Sequence, residues 1–218
     1  PENIAGNSCR QRIYTLTADR RLIAMDAFTG KLCPEFGNGG EVALAEHGRF
    51  KPDQVASSSP PAIANGVIVV GSSIIDFALA EAPRGVVAAF DAASGSPLWQ
   101  FDPLAGIAHT GGANVWAPIA IDAERDLVFL PTSAPSPDYY GVLRPGNNQN
   151  ANSVVALRLS TGEQVWSFQL SHHDLWDFDT PAQPTLFDWP GEHGPIPALA
   201  QVTKQGFVFV LDRRNGEP

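Results

Sequence analysis

Short apolar runs separated by polar turns set the pattern of this chain. Arg12 to Thr17 and Arg21 to Asp26 read as strands, with Ala18-Asp19-Arg20 as the turn between them. Four segments then share one layout, an apolar strand and a polar turn closed by glycine: Leu22 to Gly30, Val86 to Gly95, Val154 to Gly162 and Val208 to Gly216. The Asp, Ser, Thr and Asn side chains of these turns bond back to the local backbone, and glycine supplies the positive φ of a tight hairpin. A Trp follows the glycine at one offset in two of them, Trp99 and Trp166. A third segment has lost it and the fourth stops short of it. Pro61 to Gly71, Trp116 to Ile121, Asp126 to Thr132 and Pro184 to Phe187 are further strand candidates. No segment carries sustained helical periodicity.

The spacing of these hairpins, roughly 55 to 65 residues, is that of four-stranded propeller blades with insertions between strands. The expected fold is all-β, a β-propeller segment of about three to four blades with the first and last incomplete. Residues 1–218 form one partial propeller domain. A sandwich is the other all-β arrangement, and the recurring Gly-plus-Trp hairpin favours the propeller.

Composition narrows the function. A chain of 218 residues with 44% hydrophobic and 17% charged residues is globular. Its net charge of -9 argues against nucleic acid and against anionic membrane surfaces, which would repel it. Its longest apolar stretch, Gly66 to Ile75, is too short to span a bilayer. Both ends read as cuts through a longer protein. Cys9 and Cys33 flank the first two strand-like runs. A hairpin there brings them together as a disulfide, which implies an oxidising compartment; two buried free thiols are the alternative.

The endings Ser-Gly-Ser-Pro-Leu-Trp99 and Thr-Gly-Glu-Gln-Val-Trp166 resemble the tryptophan-docking motif of quinoprotein dehydrogenases. The run Ser171-His-His-Asp-Leu-Trp-Asp-Phe-Asp179, followed by Pro181-Ala-Gln-Pro184, is similar to a signature of the membrane-type branch that includes glucose and quinate dehydrogenases. Asn114-Val-Trp-Ala-Pro118, Pro137-Asp-Tyr-Tyr-Gly141 and Thr203 to Gly216 extend the resemblance over nearly the whole chain, in order.

That resemblance implies an eight-bladed propeller, a pyrroloquinoline quinone (PQQ) cofactor and a divalent cation, calcium or magnesium. It also implies a small alcohol or sugar substrate and a membrane quinone as electron acceptor. The place is the periplasmic side, attached to the inner membrane through a region outside this segment. A non-catalytic propeller scaffold is the rival reading. Oxidising an alcohol through a quinone needs a base, a Lewis acid and a flat pocket. The resemblance places Asp177 as the base, against a turn-capping role. Trp116 matches the aromatic floor, Lys204 a contact to the quinone oxygens, and Ser136 a cofactor hydrogen bond. Asp76, Asp177 and Asp179 are the candidate metal ligands. Two departures stand out: an amide ligand of the methanol dehydrogenase branch falls at Ala134, and Phe77 replaces a polar residue. Gly111-Gly112-Ala113-Asn114 is expected to let the backbone approach a ligand. His172, His173 and Asp174 do not read as a zinc site, because adjacent strand residues point to opposite faces. Neither a nicotinamide-type glycine loop nor a Gly-x-Ser-x-Gly elbow is present.

Overall fold

The computed structural model describes residues 2–3, 9–44 and 54–218. Every sheet neighbour pair in it is antiparallel. The first sheet runs β1 (Glu2–Asn3), β2 (Gln11–Leu16), β3 (Arg21–Asp26) and β4 (Glu41–Ala43). A two-stranded ribbon pairs β5 (Val55–Ala56) with β8 (Ser73–Ile74). The second sheet holds β6 (Ala62–Ala64), β7 (Val67–Val70), β9 (Val87–Asp91) and β10 (Pro97–Phe101). The third is β11 (Ala120–Asp122), β12 (Leu127–Pro131), β13 (Ser153–Arg158) and β14 (Gln164–Gln169). The fourth is β15 (Thr185–Gly191), β16 (Gly194–Val202) and β17 (Val208–Asp212). Among the described residues no helix is long and apolar enough to cross a membrane.

The inner strands of the second and third sheets are apolar on both faces because each of these sheets packs between two others. In β7, Ile68 and Val70 face the first sheet's Leu22 and Phe36, while Val67 and Val69 face the third sheet's Val128 and Leu130. In β12, Leu127 and Phe129 turn the other way, onto Leu199 and Leu211 of the fourth sheet. Period-two side-chain alternation thus serves two seams at once. Face-to-face stacking of successive sheets in chain order is the blade arrangement expected.

At the second and third seams the glycine hairpin of one sheet receives the Trp of the sheet before it. Trp99 Nε1 donates to the Leu159 carbonyl at 2.9 Å and its ring covers Gly162, where a Cβ would lie 2.6 Å from the indole. Trp166 Nε1 donates to the Arg213 carbonyl at 3.0 Å and covers Gly216 at the same 2.6 Å. Trp166 is buried and Trp99 half-buried. The first seam, where the Trp is missing, is closed by several residues: Val42 Cγ2 lies 2.7 Å from the Cβ position of Gly95, and Arg12 Nη1 donates to the Ala92 carbonyl at 3.3 Å. Phe36 packs 3.2 Å from the Cβ position of Gly95, and Tyr14 Oη donates to the Ala92 carbonyl at 2.5 Å.

Three expectations need correction. Pro61 to Gly71 is not one strand but the β6–β7 hairpin, turned at Asn65 (φ 49°) and Gly66 (φ 77°). The strand placed at Trp116 begins only at Ala120, so Trp116 lies in the loop before it. The first blade carries four strands, where an incomplete one was expected. Cys9 and Cys33 are joined as a disulfide, Cα to Cα 5.8 Å, so the free-thiol alternative falls.

Candidate active site

The registers put all the glycine turns at one end of the strands and the candidate site at the other. Val67 pairs with Asp91 beside the Gly95 turn, so β7 ends away from it, at Gly71. In the same way β12 ends away from Gly162 and β16 away from Gly216. Asp76 follows the short β8 just beyond β7, and the loops after β12 and β16 carry Ser136 and Lys204. The loops joining β10 to β11 and β14 to β15 emerge at that end too, carrying Trp116 and the pair Asp177 and Asp179.

These loops enclose a cavity of ≈ 320 Å³, within the usual range for small-molecule sites. Asp76, Trp116, Ser136, Asp179 and Lys204, from five separate loops, all line it. Asp177 is not among the lining residues; it sits behind Lys204 at the cavity's edge.

Trp116 is held by its backbone. Its carbonyl accepts hydrogen bonds from Ser58 Oγ at 2.9 Å and from Ser59 Oγ. The loop before it is knotted to its neighbours through Asn114, whose Nδ2 donates to the Ser72 carbonyl at 2.9 Å and whose Oδ1 accepts from Ser133 Oγ at 2.8 Å. The glycines ahead of it serve this loop-to-loop packing and not a ligand alone. A Cβ on Gly111 would lie 1.9 Å from the Ala82 carbonyl oxygen, and one on Gly112 2.8 Å from that of Ala134.

Lys204 joins the two carboxylates of the Trp-Asp-Phe-Asp run. Its Nζ donates to Asp177 Oδ2 at 3.2 Å, to the Asp177 carbonyl at 2.9 Å and to Asp179 Oδ2 at 3.0 Å. Burial opposes the ammonium charge, but bonding to Asp179 and Asp177 outweighs it, and the pKa of Lys204 is raised. One ammonium shared by two carboxylates does not fully compensate both. Asp177 is pushed up to about 6, first by burial and then by the Asp179 charge, with Lys204 acting in the opposite sense. A carboxylate titrating there is suited to accept a proton near neutral pH. Asp179 is further committed, its Oδ1 accepting from Ala134 N at 2.8 Å.

Two acids deepen the negative field of the cavity. Asp76 is raised by burial and by Asp179, with Lys204 lowering it. Asp138, 7% exposed and facing the same cavity, is raised by burial and by Asp76. Sequence reading passed over Asp138; its only signal was its place in Pro137-Asp-Tyr-Tyr-Gly141. Among the described residues no three His, Cys, Asp or Glu side chains close on one point as a metal cage. Ser136 lines the cavity, but its Oγ accepts from Gly111 N at 3.0 Å and Ala82 N at 3.2 Å. Those bonds brace three loops, and the hydroxyl hydrogen is donated to the Ala80 carbonyl at 3.4 Å. Phe77, at φ 58°, stacks on Tyr139 with ring centroids 5.2 Å apart at the cavity rim. His172 and His173 lie in a loop, not on the strand assumed for them, and His173 Nδ1 is engaged by the Gly146 carbonyl at 2.7 Å.

Residues 2–218 match the family described as PQQ: Glucose/ethanol/alcohol dehydrogenase, beta-propeller domain. The chain is 43% identical over 226 residues to the glycerol dehydrogenase large subunit of Gluconobacter oxydans, covering 98% of this chain and 30% of that protein. It is 41% identical over 229 residues to the quinoprotein glucose dehydrogenase of Escherichia coli, covering 100% of this chain and 28% of that one. Among solved structures, the quinohemoprotein alcohol dehydrogenase of Comamonas testosteroni superposes with a TM-score of 0.80 at 26% identity, over 95% of this chain and 33% of that chain. The chain therefore spans less than a third of the curated relatives it matches.

Proposed function

The chain belongs to the PQQ glucose/ethanol/alcohol dehydrogenase β-propeller family, and from that premise we propose that it forms one wall of a quinoprotein active site oxidising an alcohol or sugar. The observation that supports this most is the convergence of Asp76, Trp116, Ser136, Asp179 and Lys204 on one cavity, with Asp177 bonded to Lys204 at its edge. The substrate class is a sugar, polyol or cyclic alcohol. Electrons then pass to a membrane quinone, on the periplasmic side of the inner membrane; the Cys9–Cys33 disulfide fits such an oxidising compartment.

The donor set fits a flat, oxygen-rich cofactor. Trp116 offers an aromatic face, Lys204 a cation for carbonyl or carboxylate oxygens, and Ser136 a hydroxyl whose hydrogen is held by a long 3.4 Å bond to the Ala80 carbonyl. When bound, PQQ supplies the quinone that takes up the two electrons and the carbon-bound hydrogen of the CH–OH group. The chain's own part is the remaining proton, which leaves the hydroxyl for the Asp177 carboxylate. A calcium or magnesium ion belongs beside it, with Asp76, Asp177 and Asp179 as candidate ligands and Asp138 as a fourth acid on the same cavity. The fit is one of charge: Asp76, raised by burial and then by Asp179, and Asp138, raised by burial and then by Asp76, share a space that a cation would suit. A non-catalytic scaffold accounts for the Trp latches but gives no reason to hold acids at this cost in a cavity.

Asp177→Asn in the intact protein tests the reading. The change is nearly isosteric, so PQQ still binds while kcat falls at least about a hundredfold, the scale of a lost general base. Near-normal turnover with cofactor bound would contradict it.

A further inference from the structure

Asp177 does not hold its own conformation. It sits at φ 58°, a left-handed geometry that is strained for an L-residue and persists only where the surroundings over-determine it. The determinant lies three residues earlier. Asp174 is 2% exposed. Its Oδ1 accepts from Trp176 N at 3.2 Å and its Oδ2 from Phe178 N at 2.8 Å, so the amides on either side of Asp177 hang from one carboxylate.

That carboxylate is itself braced. Asn152, 1% exposed, donates Nδ2 both to Asp174 Oδ2 and to the Phe178 carbonyl, each at 3.1 Å. Arg144 is fully buried and donates to the Asp174 carbonyl at 2.5 Å and to the Asp138 carbonyl at 3.1 Å. It thereby ties the Asp177 loop to the loop that carries Asp138 into the cavity. Burying a carboxylate is costly, and an ordinary turn is satisfied by Ser or Asn with one acceptor oxygen. Here both oxygens must accept, because Trp176 and Phe178 are served by different ones.

We propose that Asp174, braced by Asn152 and Arg144, is a positioning residue for the reaction: it shapes the Trp176–Phe178 turn so that the Asp177 carboxylate meets Lys204 at the cavity. This rests on the reading of Asp177 as the base. It also divides the His-His-Asp-Leu-Trp-Asp run into one carboxylate that reacts and one that aims it.

The test is a double-mutant cycle in the intact, PQQ-loaded protein. Asp174→Asn keeps one acceptor oxygen and loses the other. It is expected to lower kcat about ten- to a hundredfold, the range for a misplaced catalytic group, with KM and bound PQQ changed less than about twofold. In an Asp177→Asn background the same substitution should change the residual kcat by less than about twofold, because residues acting as one unit are not additive. An equal loss in both backgrounds, or no loss in either, overturns the positioning role while a crippled Asp177→Asn leaves the base intact. Near-normal turnover of Asp177→Asn alone removes the base and the positioning role together. Should Asp174→Asn fail to fold, Asn152→Gly keeps the left-handed backbone at φ 47° and removes both donors. It carries the same comparison: a several-fold loss in kcat that vanishes in the Asp177→Asn background supports the proposal, and a loss equal in both, or none, overturns it.

Discussion

The seam between the first two sheets and the two seams after it solve one problem with different residues. In the later seams a single Trp does two things: its ring covers the turn glycine, and its N–H reaches the carbonyl three residues before that glycine. Trp99 serves Gly162 and Leu159, and Trp166 serves Gly216 and Arg213. In the first seam the glycine is Gly95 and the carbonyl three residues back is Ala92. Val42 and the Phe36 ring supply the cover and Tyr14, joined by Arg12, the donor, the Tyr14 and Phe36 rings meeting edge-on at 5.6 Å. What the fold requires is therefore an apolar cover on the glycine and a buried donor to the carbonyl, not a tryptophan. Where one residue meets both needs, a repeat is visible in sequence; where several residues share them, the repeat looks lost.

The largest effect that sharpens this comparison is Trp166→Ala, which removes cover and donor together and should cost about 3–5 kcal/mol of stability by equilibrium denaturation. Phe36→Ala removes the ring but leaves Val42 against the glycine, and should cost about 3 kcal/mol, less than the Trp change because the Tyr14 bond also survives. A Phe36→Ala cost above that of Trp166→Ala would show that the first seam is not a divided latch. Next come the glycines. Gly162→Ala places a Cβ against the Trp99 ring as well as straining φ +76°, and about 2–3 kcal/mol is expected. Gly30, at φ +68° with nothing within 4 Å of its Cβ position, should lose only the conformational part, about 1 kcal/mol. Equal losses at the two glycines would mean that ring cover contributes nothing. The smallest expected effect is Tyr14→Phe, about 1 kcal/mol for one hydrogen bond.

The comparison also marks what the sequence discloses. Paired strands, glycine turns and two of three latches were legible because they repeat at fixed offsets and follow from local backbone chemistry. Five of the six candidate site residues meet at one cavity, and what brought them into view was their resemblance to a family, not any periodicity. Asp138 was missed because its role arises from facing Asp76 across two loops, sixty positions apart. Asn152 and Arg144 were unreadable for the same reason, each looking like an ordinary loop residue until the fold buries it, and Asp174 drew notice only as a zinc candidate that was set aside. Ser136 came into view through the resemblance, while its brace between Ala82 and Gly111 has no sequence signal. The single-strand reading of Pro61 to Gly71 failed because an apolar run hid the Asn65-Gly66 turn.

The central claim is that the cavity under Trp116 and Lys204 holds PQQ. It is tested most directly by equilibrium dialysis of the intact apoprotein against PQQ with calcium, read by cofactor absorbance. The account predicts one PQQ per chain for the wild type. Trp116→Ala and Lys204→Ala should each weaken binding by about tenfold or more, on the order of 1.4 kcal/mol, while Tyr14→Phe leaves it unchanged. Saturable binding of equal affinity in all four proteins, or none in the wild type, would contradict it.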